Sequence, residues 1–341
     1  MPRFLKYLLF LLLGVLLGFF YLQKQAGPQR LSLESGLLWT AEEVAPPLPT
    51  PSPFPQKISL LFGGDLMFDR HIRKTAQETG YLNLFSEELK QLLAEPDLVI
   101  ANLEGPITER DSISIYSVPG GPGNTVFTFD PEVGQLLKEV NIHLVNLGNN
   151  HIFDLGADGI ESTLSYLNQA EVEYFGWLGS RQEVVNLNKP AMIKKVSDFT
   201  LGFVNYNQFG PQDFNQVLQE IEQVRPQVDY LTVYTHWGAE YVPDASELTK
   251  QQARQAIDMG ADLVIGTHPH VIQPHEDYQQ GRIYYSLGNF VFDQYFRPEV
   301  TRGQLVQVQL ERENSQASSS ATFQEFEVVM QANQPIKLID N

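Results

Sequence analysis

The sequence predicts an α/β protein with a mixed β-sheet. From Lys57 onward, short apolar runs typical of strands alternate with amphipathic stretches typical of helices. Near residues 191–206 and 304–330, strand-like runs follow one another without a helix between them, which indicates antiparallel neighbours. Nearly every predicted strand also ends in a cluster of Gly, Asp, Asn, His or Glu. In open α/β sheets ligands bind beyond the carboxyl ends of the strands, so we expect these clusters to meet at one rim.

The individual elements follow from the length and periodicity of these runs. The predicted strands are 57–64, 97–105, 142–150, 229–238, 261–270 and 282–290, and the predicted helices are about 84–93, 131–139, 157–170, 212–224 and 248–259. A polar stretch at 314–322 indicates a turn between two late strands. We therefore assign one domain to residues 57–331 and a C-terminal tail to residues 332–341.

Composition excludes several classes of site. The chain has 341 residues, which is enough for one large core. It has no cysteine, so disulfides and thiolate metal sites are excluded and any metal must be held by His, Asp, Glu or Asn. The net charge of −18, without a basic run, disfavours binding to nucleic acid.

The N-terminus carries one long apolar run. Residues 7–22 are apolar, and Arg3 and Lys6 precede them. Positive charge ahead of such a run keeps that end in the cytoplasm and directs the following chain across the membrane. The run is longer than most signal-peptide cores, and bulky side chains at 19–21 leave no clear cleavage site. We expect residues 1–22 to be an uncleaved transmembrane signal anchor; the alternative is a cleaved signal peptide.

The next segment, residues 23–56, has the composition of a linker. Its end, 46–56, reads PPLPTPSPFPQ, and such proline-rich chains are extended and semi-rigid. The prediction is therefore a single-pass protein of the cell membrane, whose main domain is extracytoplasmic and held off the membrane by this linker.

Polar residues follow the predicted strands at six places. Taken singly, each has an ordinary explanation, because an Asp after a strand usually caps a helix or closes a turn. As a set they indicate a site, since four of the seven histidines lie in them. We expect the other three, His71, His143 and His275, to be structural. The clusters contain Asp65, Glu104, Asn150 with His151, His236, His268 with His270, and Asn289 with Asp293.

The sharpest local signal is the sequence His268-Pro269-His270. Pro269 disfavours a helical conformation in the preceding residue, so we expect His268 to be extended. Residues i and i+2 of an extended segment point to the same side, which would direct both imidazoles to one metal. Gly266 would let the backbone approach closely.

The residue types favour a particular class of metal. Carboxylate, amide oxygen and imidazole together suit one or two divalent ions of Mn, Fe or Zn better than Ca²⁺. A carboxylate bridging two ions, with histidines on either side, is the usual arrangement of a centre that clamps a phosphate and activates water.

The motifs GDLMFDR, NLEGPIT, NNHIFDLG, HWGAEY, GTHPHV and SLGNFVFDQ, in this order, resemble those of the CapA (PgsA-like) capsule and poly-γ-glutamate biosynthesis family. The resemblance covers about residues 57–312. That family is in turn similar to calcineurin-like metallophosphoesterases, which implies a four-layer α/β/β/α sandwich.

The resemblance also implies a role for each residue. Asp65 and His270 would bind the first metal and Glu104 would bridge to the second. Asn150, His236 and His268 would complete the second site, and His151 would be the general acid. We add Asp154 and Glu240 as candidate partners of His151 in proton transfer.

One motif departs from the phosphoesterase pattern. That pattern begins Asp-x-His, whereas here Asp65 is followed by Leu66 and Met67. One imidazole of the first metal site is therefore missing, and the bridging residue is Glu104 rather than an aspartate. This predicts a first metal site that is weaker or differently built, or a centre with a single metal.

Two functions from different classes follow. The first is a metal-dependent hydrolase or transferase acting outside the membrane on a phosphoester, or on an anionic, amide-linked or glycan polymer. The second is a non-catalytic accessory that binds or guides capsule polymer beside a membrane synthase or exporter.

The anchor prediction is tested by topology reporters fused to the C-terminus of the full chain. We expect a reporter active only outside the cytoplasm to give signal, because Arg3 and Lys6 retain the N-terminus inside. Signal from a reporter active only in the cytoplasm would contradict the prediction. Release of soluble, N-terminally trimmed protein would favour the cleaved signal peptide.

Overall fold

A computed structural model describes residues 56–117, 121, 123–179, 185–314 and 318–339. The predicted anchor at 1–22 and the linker up to residue 55 lie outside the described residues. Within the described ranges, no helix is both long enough and apolar enough to cross a membrane.

The described strands form two sheets. The first contains β1 (Gln56–Leu66), β2 (Leu98–Leu103), β3 (Ile142–Asn146), β4 (Glu173–Phe175), β11 (Asn289–Val291), β12 (Arg302–Arg312), β13 (Ser320–Val329) and β14 (Lys337–Leu338). The second contains β5 (Ala191–Val196), β6 (Phe199–Asn207), β7 (Tyr230–His236), β8 (Leu263–Thr267), β9 (Ile272–Tyr278) and β10 (Gly281–Leu287). The strand orders are β14-β13-β12-β1-β2-β3-β4, with β11 beside β1, and β5-β6-β7-β8-β10-β9.

Both sheets are mixed, which confirms the prediction. Strands β1 to β4 are parallel, and β12, β13 and β14 extend that sheet with antiparallel pairs. In the second sheet, β6, β7, β8 and β10 are parallel, while β5 and β9 add antiparallel edges. The antiparallel pairs β5–β6 and β12–β13 correspond to residues 191–206 and 304–330, where the sequence predicted antiparallel neighbours.

The two sheets face one another across an apolar core. Leu60 and Phe62 of β1 pack in the same cluster as Phe203 of β6 and Ile265 of β8, and all four are fully buried. Burying each such side chain contributes about 1.5–3 kcal/mol. The continuous apolar runs of β1, β2 and β8 follow from this, because their strands are covered on both faces.

In the described part of the chain, six helices cover the outer faces: α1 (Arg70–Thr79), α2 (Glu87–Ala94), α3 (Glu132–Glu139), α4 (Gly156–Gln169), α5 (Phe214–Val224) and α6 (Glu247–Asp258). The first four pack against the first sheet and the last two against the second, which gives four layers. Five begin and end within a few residues of their predicted bounds. The sequence analysis missed α1, in which only Ile72, Arg73 and Ala76 are buried.

The C-terminal residues assigned to a tail belong partly to the first sheet. Ile336 is 3% exposed and forms an isolated bridge with Phe85. Strand β14 then pairs with β13. The folded unit therefore continues to the last described residue, Ile339, whose backbone N–H bonds to Glu327.

Candidate metal centre

Two buried carboxylates lie at the carboxyl ends of neighbouring strands. Asp65 belongs to the last residues of β1, and Glu104 directly follows β2. Both are 0% exposed. Asp65 is held by the Asn102 amide (Nδ2 to Oδ1, 2.8 Å) and by the backbone N–H of His268 (3.1 Å).

Glu104 is the unusual member of the pair. Among the described residues, neither of its carboxylate oxygens has a hydrogen-bond partner. The nearest nitrogens to Oε1 are Nε2 of His236 at 3.7 Å, of His270 at 3.9 Å and of His151 at 4.0 Å. Burial, and then the charge of Asp65, raises the pKa of Glu104 well above its ordinary value of 4.5. Buried polar groups are normally satisfied by a partner. A bound cation would satisfy this carboxylate, so its environment is that of a metal ligand.

The hydrogen bonds of His236 determine which of its ring nitrogens is free. The Thr267 hydroxyl donates its proton to the backbone carbonyl of Thr235 (2.8 Å), so it accepts from Nδ1 of His236 (2.9 Å). The Nε2 lone pair therefore faces Oδ1 of Asn150 at 2.7 Å. Burial lowers the pKa of His236 well below 6.5, and the ring is neutral at physiological pH.

His268 brings a further ring nitrogen to the same point. Its Nδ1 lies 3.2 Å from Nε2 of His236. Burial, and then the charge of His270, lowers the pKa of His268 to about 3, so this ring is also neutral. The Phe209 ring covers its other side with ring centroids 4.1 Å apart. The Asn150 oxygen and the His268 nitrogen thus both lie within 3.2 Å of Nε2 of His236, and the three atoms are of the types that bind a divalent transition metal.

His270 is oriented by Asn289. The Asn289 Nδ2 group donates to the backbone carbonyl of Val300 (2.9 Å) and to Oε1 of Gln294 (3.1 Å), which leaves Oδ1 to accept from Nδ1 of His270 (2.9 Å). The unprotonated nitrogen of His270 is therefore Nε2, and its lone pair faces Glu104. Fixing the tautomer through the opposite nitrogen is characteristic of metal-ligating histidines.

The backbone around Pro269 differs from the extended segment that the sequence predicts. His268 has φ of +95° and His270 has φ of +57°, so both lie in the left-handed region. The two rings nevertheless face one site, with centroids 5.8 Å apart. The reason is tertiary: Asp65 accepts from the His268 backbone N–H, and Asn289 fixes the His270 ring. The prediction that Pro269 makes His268 extended was therefore wrong.

Two overlapping donor sets share Glu104, and the ligand atoms of each set lie within 4.8 Å of one another. The first set contains Asp65, Glu104 and His270, and the second contains Glu104, His236 and His268. The Asn150 oxygen adjoins the second set through His236. Because Glu104 belongs to both sets and its oxygens are otherwise unpaired, the residues present fit a bridging carboxylate between two divalent ions.

Met67 occupies the position at which the phosphoesterase pattern has a histidine, so the first set has one imidazole fewer than that pattern. Its side chain is 0% exposed and packs in the apolar core under the helices, where its sulfur accepts from the backbone N–H of Asp69 (3.0 Å). The Met67 side chain is therefore part of this core and offers no imidazole to the first set. The exposed Glu240 forms a third set, in which one of its carboxylate oxygens lies within 4.8 Å of ring nitrogens of His268 and His270.

His151 lies beside these sets and has its own support. Its Nδ1 contacts Oδ2 of Asp154 at 2.9 Å, and the same oxygen accepts from the backbone N–H of Phe127 (2.7 Å). The Phe127 ring packs on the imidazole with centroids 4.2 Å apart. Asp154 therefore orients the ring, and Nε2 is left facing the side of Glu104.

A cavity of about 1020 Å³ opens beside His151, His270 and Glu240. Its wall includes Arg70, which the sequence analysis did not select. The Arg70 guanidinium lies over the rings of Phe127 (5.1 Å) and Phe292 (5.4 Å) and pairs with Asp293. The only sequence signal for it was its place in the GDLMFDR motif.

The family of the chain follows from a comparison with family models. The model described as "Bacterial capsule synthesis protein PGA_cap" matches residues 59–294, which is most of the chain. The chain belongs to the PGA_cap family. The matched range contains every predicted site residue from Asp65 to His270, and the resemblance inferred from the motifs is confirmed.

Two relatives of this PGA_cap-family chain are CapA proteins. "PGA biosynthesis protein CapA" of Bacillus subtilis (strain 168) is 29% identical over 268 residues, which are 75% of this chain and 68% of the relative. "Capsule biosynthesis protein CapA" of Bacillus anthracis is 31% identical over 254 residues, which are 70% of this chain and 61% of the relative.

Solved structures show a metallophosphoesterase-like fold. The NAD nucleotidase NadN of Haemophilus influenzae has a TM-score of 0.50 at 11% identity, with 84% of this chain and 60% of that chain covered. A candidate 5′-nucleotidase of Staphylococcus aureus in complex with alpha-ketoglutarate has a TM-score of 0.50 at 15% identity, with 83% and 56% covered. At these identities the likeness concerns the fold alone.

Glu104→Gln should make the metal-free protein more stable at pH 7 and weaken metal binding. The folded-state pKa of Glu104 is raised, so this group lowers stability as the pH rises above 4.5 towards the folded value, and glutamine does not ionise. His236 and His268 have lowered pKa values in the folded state. They therefore lower the stability of the fold only at pH below about 6.5, and they do not affect the comparison at pH 7.

Thermal unfolding of chelator-treated protein at pH 7 is the measurement, with the exposed Glu95→Gln as control. We expect the Tm of Glu104→Gln to rise and that of the control to match wild type. A metal-free Glu104→Gln that is less stable than wild type would show that the carboxylate makes favourable contacts, against this account.

Proposed function

We propose that this PGA_cap-family chain is a metal-dependent hydrolase that cleaves a phosphoester outside the cytoplasmic membrane during capsule synthesis. The observation that carries the proposal is Glu104, a fully buried carboxylate that accepts no hydrogen bond from the described residues, is shared by two donor sets and faces His151. The confirmed family supports the biological setting, and the fold is one that builds metal sites at this rim.

The ions would be Mn, Fe or Zn, and the donor atoms fit the roles proposed for them. Asp65 and His270 would hold one ion and Glu104 would bridge. His236, His268 and Asn150 would hold the other. Bound there, divalent ions polarise a phosphoryl oxygen and lower the pKa of a bound water.

The remaining steps belong to residues of the chain itself. His151 would deliver a proton from Nε2 to the leaving-group oxygen, because Asp154 holds its other nitrogen. Glu240, at the cavity side of His268 and His270, is proposed to exchange protons with solvent. The Arg70 guanidinium, fixed by two aromatic rings and Asp293, would bind an anionic part of the substrate in the cavity.

Membrane attachment and partners complete the proposal. The apolar run at 7–22 would anchor the chain, and the domain would act on an extracellular anionic polymer or a phosphoester precursor beside a synthase or exporter. The names of the two CapA relatives, which refer to PGA and capsule biosynthesis, support this setting.

A second candidate is a non-catalytic accessory that binds or guides capsule polymer beside the synthase or exporter. The observation that favours it is Met67, whose buried side chain leaves the first donor set without a second imidazole. In that case any metal would stabilise the domain and take no part in chemistry.

The two candidates differ in the expected behaviour of His151→Ala and His268→Ala. His268→Ala removes a ligand, so metal content and Tm should both fall, since a metal that binds only the folded state stabilises it. His151→Ala should remain folded and metallated, with phosphoester hydrolysis reduced about 10²–10⁴-fold by loss of the general acid. The surface histidine variant His275→Ala, outside the donor sets, should match wild type.

The full chain is assayed with Mn²⁺, Fe²⁺ or Zn²⁺ against p-nitrophenyl phosphate, bis-p-nitrophenyl phosphate and polyglutamate. Elemental analysis and thermal unfolding are carried out in parallel. Wild-type hydrolysis lost in His151→Ala at unchanged metal content supports the hydrolase. Metallated wild type without activity on any of these, or full activity of His151→Ala, would overturn it and favour the accessory.

A further inference from the structure

A chain of asparagine side chains connects the second sheet to Asp65. Asn205 of β6 donates from Nδ2 to Oδ1 of Asn146 (2.9 Å), Asn146 of β3 donates to Oδ1 of Asn102 (2.8 Å), and Asn102 of β2 donates to Oδ1 of Asp65 (2.8 Å). All three asparagines are 0% exposed. We call Asn205, Asn146 and Asn102 the amide relay.

Backbone donors fix the direction of the relay. The Asn205 oxygen accepts from the N–H of Trp177 (2.9 Å), and the Asn146 oxygen accepts from the N–H of Gly148 (3.2 Å). Turning either amide over would place its NH₂ group against a backbone N–H. The NH₂ groups therefore point along the relay towards Asp65, where the last one meets a carboxylate in a charge-assisted bond.

Asn102 is a junction between the two donor sets. Besides donating to Asp65 of the one set, its Nδ2 lies 3.3 Å from Nδ1 of His236 of the other, which is a packing contact because that Nδ1 donates to Thr267. Its oxygen also accepts from Asn149 (3.2 Å), whose own side-chain oxygen accepts from the backbone N–H of His151 (3.1 Å). One buried amide therefore contacts one ligand of each set and, through Asn149, the loop of the proposed acid.

An apolar core would not need these amides. The rest of the space between the sheets is filled by residues such as Leu60, Phe203 and Ile265. Buried amides are tolerated only when fully hydrogen-bonded, and such networks then hold one arrangement rigidly. Amides also leave the charge of the site unchanged, which a buried Lys or Asp in their place would not.

We infer that Asn102 is a positioning residue, which holds Asp65 through the amide relay in the orientation that metal binding requires. The inference rests on the metal centre in the proposed function. In this role the amide relay supports a metal ligand, in addition to packing between the two sheets.

The test is metal affinity of the folded, metal-free full chain, measured by Mn²⁺ titration in competition with a chelating indicator. Asn102→Leu keeps the approximate volume but removes the donor to Asp65. Loss of such a supporting contact typically weakens metal binding about 10–100-fold. The control is Gln273→Leu, which removes a buried amide that donates to the backbone carbonyl of Val242.

A purely structural role predicts that Asn102→Leu and Gln273→Leu lower the Tm of the metal-free protein similarly and leave the Kd for Mn²⁺ unchanged. The positioning role predicts a weaker Kd for Asn102→Leu alone. Asn146→Ala serves as a second variant, because Asn146 contacts neither donor set directly. It should weaken binding a few-fold, and it decides the question if Asn102→Leu does not fold.

The failures of the two proposals are distinguishable. Wild type that binds no Mn²⁺, Fe²⁺ or Zn²⁺ would remove the metal centre and this inference with it. Wild type that binds metal, with a Kd unchanged in every folded variant of Asn102 and Asn146, would overturn the positioning role and leave the metal centre intact.

Discussion

The site is organised around the burial of negative charge. Asp65 and Glu104 are both fully buried at adjacent strand ends, and Glu104 has no hydrogen bond among the described residues. An uncompensated buried carboxylate costs several kcal/mol. The neighbouring imidazoles of His236 and His268 have lowered pKa values and are neutral, so they do not balance this charge. A bound cation would balance it, and the hydrogen bonds around the site are consistent with that need.

Each surrounding feature serves the same arrangement. Thr267 and Asn289 occupy the Nδ1 atoms of His236 and His270, and each thereby directs the opposite nitrogen inward. The left-handed backbone of His268 and His270 costs about 1–3 kcal/mol per residue, and such strain persists only where the surrounding structure over-determines the conformation. The apolar core between the two sheets supplies the stability that tolerates it.

The sequence was sufficient for the parts of the site that depend on strand order. Asp65, Glu104 and His236 each stand at the end of a parallel strand, and carboxyl ends of parallel strands share an edge, so their convergence could be predicted. The conformation of His268-Pro269-His270 could not, because Asp65 and Asn289, far away in sequence, determine it. The amide relay was missed for the same reason, since it exists only once the two sheets have packed.

The helices likewise divide into those that local periodicity predicts and those that long-range contacts determine. Helix α4 was predicted almost to the residue because its apolar face is periodic, with Ile160, Leu164 and Leu167 buried. Helix α1 was not, because its sequence RHIRKTAQET is largely polar and its start is set by the Asp69 side chain, which accepts from Arg70 and from Thr128. Long-range contacts of that kind leave no periodic signal.

Glu104 is proposed to be shared between two metal ions, and the metal content of the purified protein tests this most directly. Untagged full-length protein, grown with Mn and Zn supplements and purified without chelators, is analysed for metals together with Glu104→Gln and the exposed-site control Glu95→Gln. The account predicts about one to two transition-metal ions per chain in wild type and in Glu95→Gln, and a marked loss in Glu104→Gln. Wild type with almost no metal, or Glu104→Gln with the full wild-type content, would contradict it.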